Sequence, residues 1–285
     1  RTLRKVLDSG SGKEALQAFL YLMACAAEGV TRDKLTLDSW GIDDSSKAVA
    51  ASINNSNWNA LIALLTSERE IDGLKPDLFL TLRHAAGRLF QDAHYLAVQD
   101  QQLQLNLDGV LPTPANITQR SQGIGVHFTP PSLVRSIVEQ TLNAFETLPE
   151  HLVVYDPAAG SAEFLREVAR QLTLRKFLGS VHLIGWDVSP IACDMMRFVL
   201  SWEKRAFGNR LTFDIQCVDA LSAKRPWPND VKITLMNPPF VSWEGMSGQQ
   251  RATVRDTLGG LANLRPDLAS AFFMKAAMST QRGSL

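Results

Sequence analysis

LVVYDPAAGSAEFL, Leu152 to Leu165, is the stretch that decides the fold. Leu152 to Tyr155 is an unbroken apolar run of strand length, as expected where both faces of a parallel sheet are covered. Asp156 ends the run, Pro157 to Ala162 is a turn of small residues, and Phe164 to Leu172 returns to helical spacing. Working outward, a helix is expected from Pro131 to Phe145 before this unit. After it come a strand His182 to Trp186 ending in Asp187, a helix Pro190 to Ala206, and a strand Leu211 to Cys217 ending before Asp219. A strand Lys232 to Met236 then ends at Asn237, and a helix covers Leu268 to Thr280. Short β-branched runs alternating with helical patterns predict an α/β fold with an open, doubly wound, mostly parallel sheet. Such sheets take ligands beyond the carboxyl ends of their strands, where Asp156, Asp187, Asp219 and Asn237 all fall.

The chain ahead of this region has another texture. From Lys13 to Leu105 the pattern is helical, with Ala15, Leu16, Phe19, Leu20, Leu22 and Met23 at three- and four-residue steps and further helices expected at Asn57 to Thr66 and Pro76 to Gln104. Leu107 to Gly125 is rich in proline, glycine and small polar residues, as an interdomain loop would be. The division is therefore expected near Gln122, with a helical N-terminal domain and linker over 1–122 and the α/β domain over 123–285. Gly283 to Leu285 reads as the start of another strand, so the sheet is expected to continue and the chain to be part of a longer protein.

Composition narrows the function classes. Twenty-nine basic and 29 acidic residues balance, so no global basic field draws the chain to a polyanion, and any DNA contact requires a local patch or another subunit. Cys25, Cys193 and Cys217 are widely spaced and form no CxxC, which argues against a disulfide framework or a structural zinc and fits a reducing, cytoplasmic setting. Apolar stretches are short and broken by charge, so no membrane association is expected.

Three elements carry the chemistry. In Asp156 to Ala162, small residues at Ala158 and Gly160 allow close ligand approach, Gly160 can take positive φ, and the helix start offers free amides. No GKS or GKT follows, so this is not a phosphate loop. In Gly185-Trp186-Asp187, a carboxylate at a strand end can accept both hydroxyls of a ribose, and Asp219 at the next strand end can accept from an adenine amine. In Asn237-Pro238-Pro239-Phe240, the prolines stiffen the backbone so that the Asn237 side-chain oxygen and the Pro238 carbonyl form paired acceptors for one NH2 group, and Phe240 offers a face for a base. Each has an ordinary alternative: a ligand-free turn, an N-cap at Asp187 for the helix from Pro190, a solvated turn at Asp219, a rigid turn with a core phenylalanine at Phe240.

Together, these residues resemble a family. His127-Phe128-Thr129-Pro130 looks like a (Y/F)TP element, Asp156 to Leu165 resembles DPxxGSGxFL, and Asn237 to Phe240 matches NPPF. In this order they resemble the DNA adenine-N6 methyltransferases of restriction-modification and related phage-defence systems, over about Gly123 to Leu285. The resemblance implies a Rossmann-like methyltransferase sheet and S-adenosyl-L-methionine as cofactor. Phe128, Thr129 and Pro130 would belong to the cofactor site, with Thr129 and Pro130 bordering its methionine end. Asp156, Ala158 and Gly160 would form its cradle, Asp187 would hold the ribose and Asp219 the adenine. Asn237 and Pro238 would hold the target amine, with Pro239 in the same rigid turn and Phe240 stacked on a flipped base. DNA is the implied partner, with a specificity, nuclease or other defence subunit as companion. The family commonly has glycine where this chain has Ala162, whose methyl is tolerated there only at negative φ.

No metal or covalent nucleophile is expected: a sulfonium methyl is already electrophilic, and none of the cysteines follows a proline after a catalytic strand. Methyltransferases acting on amines of RNA or protein share NPP motifs, and a non-catalytic subunit of a defence complex would share the fold. Both remain alternatives. Trp243, Arg251 and Arg255, in the polar run after the catalytic turn, are expected near the substrate entrance rather than in the core, with an ordinary amphipathic surface helix as the alternative.

Overall fold

The computed structural model describes residue 7 and residues 12–66, 129–222, 226–279 and 283–285. It divides into two compact units, one of Arg1–Val110 with Arg197–Trp202, the other of Leu111–Met196 with Glu203–Leu285. The expected boundary near Gln122 and the expected helix Pro76 to Gln104 lie outside the described residues.

In the first unit three helices are described, α1 (Gly12–Glu28), α2 (Asp44–Ser52) and α3 (Asn55–Thr66). The apolar stripe of α1 buries Leu16, Leu20, Tyr21 and Met23. Asp43 caps α2 by accepting from the Ser46 amide, satisfying one of the unpaired donors of its first turn. Tyr21 meets Trp58 of α3 edge to face, and the Arg32 guanidinium lies over the Trp58 ring while donating to the Ala50 and Ile53 carbonyls.

The second unit is a parallel sheet with flanking helices. Its elements run α4 (Pro131–Asn143), β1 (His151–Asp156), α5 (Glu163–Leu174), β2 (Ser180–Asp187), α6 (Pro190–Phe207), β3 (Leu211–Cys217), β4 (Ile233–Thr234), α7 (Gly248–Leu258) and α8 (Leu268–Ser279). The strand order is β3-β2-β1-β4, all parallel, with Val153 opposite His182, Val154 opposite Ile233 and Ile184 opposite Asp214. Strand β1 is buried along all but its first residue, as its unbroken apolar run requires. After β3 the chain returns to the far side of β1, so strand order reverses between β1 and β4, and the crevice over such a switch point is where open α/β sheets take ligands.

Strand β4 is shorter than its apolar run. Pairing to β1 extends through the Lys232 amide on Val153 O and the Leu235 amide on Tyr155 O, then ends as Pro238 and Pro239 offer no N–H to a ladder. On its other edge Leu285 donates to Lys232 O and accepts from the Thr234 amide. Packing is tight at Gly185 in β2, where a Cβ would stand 2.8 Å from the Met196 sulfur and 3.0 Å from Leu165 Cδ1, so those side-chain ends would have to shift. No helix among the described residues is long and apolar enough to cross a membrane.

Candidate functional site

The turn after β1 is stitched to the end of β2. The Ala159 amide donates to Trp186 O at 3.0 Å, and the Gly160 amide donates to Asp187 Oδ2 at 2.9 Å. The other oxygen of Asp187 accepts from the Ser189 amide at 2.8 Å. Asp187 is therefore not the cap of α6: Ser189 is, with its hydroxyl facing the Ala192 amide and Pro190 in the first turn. Gly160 takes the positive φ expected of it, 53°, and a Cβ built there would meet nothing within 4 Å, so open space lies before this turn.

Ala162 corrects an expectation. Its φ is 65° and ψ 31°, the left-handed region, although it carries a Cβ and is fully buried. The reason lies in the turn: with Ala159 and Gly160 pinned to β2, the chain reverses into α5 within two residues. Ala162 donates to Ala159 O at 2.8 Å while its own carbonyl accepts from the Arg166 amide at 2.8 Å. This conformation costs an L-residue about 1–2 kcal/mol, held by the surrounding structure.

Asp156, 1% exposed, accepts from the Ala158 amide at 3.0 Å. Burial pushes its carboxyl up to about 8; the Ala158 amide opposes the shift, and the charge of Asp187 adds to it. Two carboxyl side chains thus stand at adjacent strand ends, the inner one raised chiefly by its burial. Tyr155 lies below, edge to face with both Trp186 and Trp227, at 5.2 and 5.1 Å between ring centres.

Beyond β3, exposed Asp219 accepts from the Leu221 amide at 2.9 Å, which shapes the turn. That turn is clamped from beneath: the Trp227 indole and the Lys275 ammonium, from α8, both donate to Ala220 O, at 2.8 and 2.7 Å. Burial lowers the Lys275 pKa, with Asp219 acting in the opposite direction. The sequence reading missed both clamp residues. Only Lys275, a lone cation amid the apolar residues of α8, left a signal.

At the end of β4, Pro238 is buried, Asn237 and Pro239 are partly buried, and Phe240 is 49% exposed. Asn237 Nδ2 donates to Thr129 Oγ1 at 2.8 Å, joining motif elements 108 residues apart. Pro130 is the N-cap residue of α4, and Phe128 lies outside the described residues. The segment after Phe240 is fastened where Leu268 N donates to Val241 O at 2.9 Å. Arg251 donates to the Trp243 and Glu244 carbonyls, whereas exposed Arg255 stacks over the Trp243 ring at 4.9 Å. Trp243 itself is partly buried against the core, so of these three Arg255 is the exposed one.

The structure thus gathers the expected Asp156, Ala158, Gly160 and Asp187 into one hydrogen-bonded turn, and Asn237 and Thr129 into a second. A class I S-adenosylmethionine-dependent methyltransferase of Listeria monocytogenes, so described, is similar with a TM-score of 0.50 at 15% identity, over 99% of this chain and 70% of that one. The type IIG restriction endonuclease BpuSI is similar with a TM-score of 0.51 at 16% identity, over 99% of this chain and 32% of that one. The methyltransferase subunit of a type I restriction-modification system of Streptococcus thermophilus gives 0.45 at 15% identity, over 99% and 70%. At such identities the likeness is one of fold. No curated protein is a significant sequence match. Residues 114–281, more than half of the chain, match the family model described as N-6 DNA Methylase, and the chain belongs to that family.

Proposed function

We propose that the chain binds S-adenosyl-L-methionine across the ends of β1 and β2 and directs its methyl group to N6 of a flipped-out adenine in DNA. The observation that carries this reading is the position of Asn-Pro-Pro-Phe: it leaves β4 beside β1, at the switch point whose other wall ends in buried Asp156.

The residues fit such a cofactor. A buried carboxyl with its pKa pushed up to about 8, a second carboxylate at the next strand end and open space before Gly160 suit a ligand bearing an ammonium and a sulfonium. Asp156, Ala158 and Gly160 would form the cradle, Asp187 would receive the ribose hydroxyls, and Asp219 would receive the adenine amine. When bound, the cofactor supplies an electrophilic methyl on a good leaving group.

The protein's own work is alignment. The N6 lone pair is delocalised into the ring, so the amine is a weak nucleophile. Asn237 Oδ1 and Pro238 O, each accepting one N6 hydrogen, favour a pyramidal nitrogen and bind harder as positive charge grows on it. With the cofactor held there, its sulfonium would supply the methyl and leave as the thioether, and the excess proton on the amine would pass to solvent. Phe240, half exposed beside these acceptors, would stack on the base once it leaves the duplex. The motif order supports a restriction-modification or related defence setting, in which a specificity, nuclease or other subunit would be the companion, and the widely spaced cysteines fit a reducing cytoplasm.

The test offers the full-length protein or its assembled complex labelled cofactor with DNA, RNA and protein in parallel. Label is expected in DNA. Label only in RNA or protein would replace the DNA assignment, and a chain that binds cofactor but labels nothing would be a non-catalytic subunit.

A further inference from the structure

We infer that Lys275, from α8, is a positioning residue for the adenine end of the cofactor site, holding the Asp219 carboxylate in place through the peptide that joins Ala220 to Leu221. The inference rests on the reading of Asp219 as the acceptor of the adenine amine, and names what aims that acceptor.

Asp219 to Ser222 is a β-turn, closed by the Ser222 amide on Asp219 O at 3.2 Å. Its middle peptide, between Ala220 and Leu221, meets a partner on each side. The Leu221 amide donates to Asp219 Oδ1 at 2.9 Å. Ala220 O accepts from the Lys275 ammonium at 2.7 Å and from the Trp227 indole at 2.8 Å, and the same ammonium reaches Ser222 O at 3.3 Å. An ammonium and an indole N–H only donate and a carbonyl only accepts, so each of these bonds runs one way.

A peptide unit is planar and trans, so its C=O and N–H point in opposite directions. Donors that hold Ala220 O on one side therefore aim the Leu221 N–H to the other, at Asp219. The competing arrangement of a β-turn has its middle peptide flipped. That would carry Leu221 to positive φ, where neither Ala220 nor Leu221 lies, and turn the amide away from the carboxylate. With Oδ1 committed to the amide, Oδ2 of exposed Asp219 is the oxygen left to receive an adenine amine. The clamp itself has a firm base. Helix α8 is anchored by buried Leu268, Ala271 and Phe272, and the ammonium lies 5.8 Å from the centre of the buried Trp227 ring. Its charge and that of Asp219 also act on each other, since Asp219 opposes the lowering of the Lys275 pKa by burial.

The test titrates the full chain calorimetrically with S-adenosylhomocysteine and with its analogue carrying hydrogen in place of the 6-amino group. Lys275→Met keeps the apolar stem and loses the donor, while Trp227 stays on Ala220 O. It should weaken S-adenosylhomocysteine roughly 3- to 10-fold, the worth of about one hydrogen bond, and leave the analogue within about 2-fold. A lysine that merely stabilised the fold would weaken both ligands alike, and that result overturns the inference. So does a variant that discriminates between them as well as the parent. A parent that binds the two equally overturns the adenine reading of Asp219 and the inference with it, which separates the two failures. A ligand-free arm reads the clamp directly. The Leu221 amide should be protected from hydrogen exchange in the parent and exchange faster in Lys275→Met. Equal exchange in the two, or open-chain exchange in the parent alone, overturns the clamp without recourse to any ligand.

Discussion

The turn after β1 and the turn after β4 stand side by side yet are built in opposite ways. The first is buried and short-range: Asp156, Ala159, Gly160 and Ala162 are fixed by amides and carboxylates of β1, β2 and the start of α5, at the cost of a left-handed alanine. The second is partly open, its backbone stiffened by Pro238 and Pro239 and its asparagine tethered to a distant threonine. A site for a ligand that is always the same can be built rigidly from its neighbours. On the proposed function the second would receive a base from a polymer, has to stay accessible, and would take its precision from one long-range contact and two prolines.

If that division of labour holds, damage to the two turns should separate into chemistry and binding. Asn237→Ala should cut transfer about 100-fold or more while leaving cofactor affinity intact, the cost of one preorganised transition-state hydrogen bond. Asp187→Ala should do the reverse. It removes two ribose bonds to a charged group and the acceptor of the Gly160 amide, weakening cofactor binding by roughly 1.5–3 kcal/mol in a calorimetric titration. Unchanged affinity would remove Asp187 from the cofactor site. Phe240→Ala should cost roughly 1–3 kcal/mol of base stacking, read as weaker DNA capture and partly relieved by a mismatched target that is cheaper to extrude.

Two smaller effects probe the buried turn alone. With its carboxyl raised from 3.8 to about 8, Asp156 stays protonated in the folded chain while the unfolded chain ionises, so stability without cofactor is greatest below that window and falls as pH rises through it. A cationic ligand draws the carboxyl back toward ionisation, so cofactor binding near pH 7 should release a proton. Titrations in buffers of different ionisation enthalpy would detect it, and the release should disappear in Asp156→Asn. Ala162→Gly relieves about 1–2 kcal/mol of left-handed strain but loses about 0.8 kcal/mol with the buried methyl and about 0.5–1 kcal/mol in chain entropy, so the terms nearly cancel and the melting temperature should change little. A marked fall in melting temperature in that variant would show that the strain is absent.

What could be read beforehand follows the range of the forces involved. The unbroken apolar run Leu152 to Tyr155, the acidic strand ends Asp156 and Asp187, and the prolines at 238 and 239 act within a few residues, so strand, turn and helix were legible from their order. Which residue caps α6 was not legible, because Asp187 and Ser189 both lie within three residues of Pro190 and the outcome depends on Asp187 being engaged by Gly160 across the sheet. The φ of Ala162 was not legible because two tertiary hydrogen bonds override a local preference. The Thr129 to Asn237 bond and the clamp of Lys275 and Trp227 on Ala220 O join residues distant in sequence and carry no local pattern at all.

The account stands or falls on the identity of the modified nucleoside. DNA incubated with labelled cofactor and the full-length protein or its complex, then digested to nucleosides and separated, should carry the label as N6-methyladenine, and that product should vanish with Asn237→Ala. Label recovered as a methylated cytosine, or N6-methyladenine formed at the parent rate by Asn237→Ala, would contradict it.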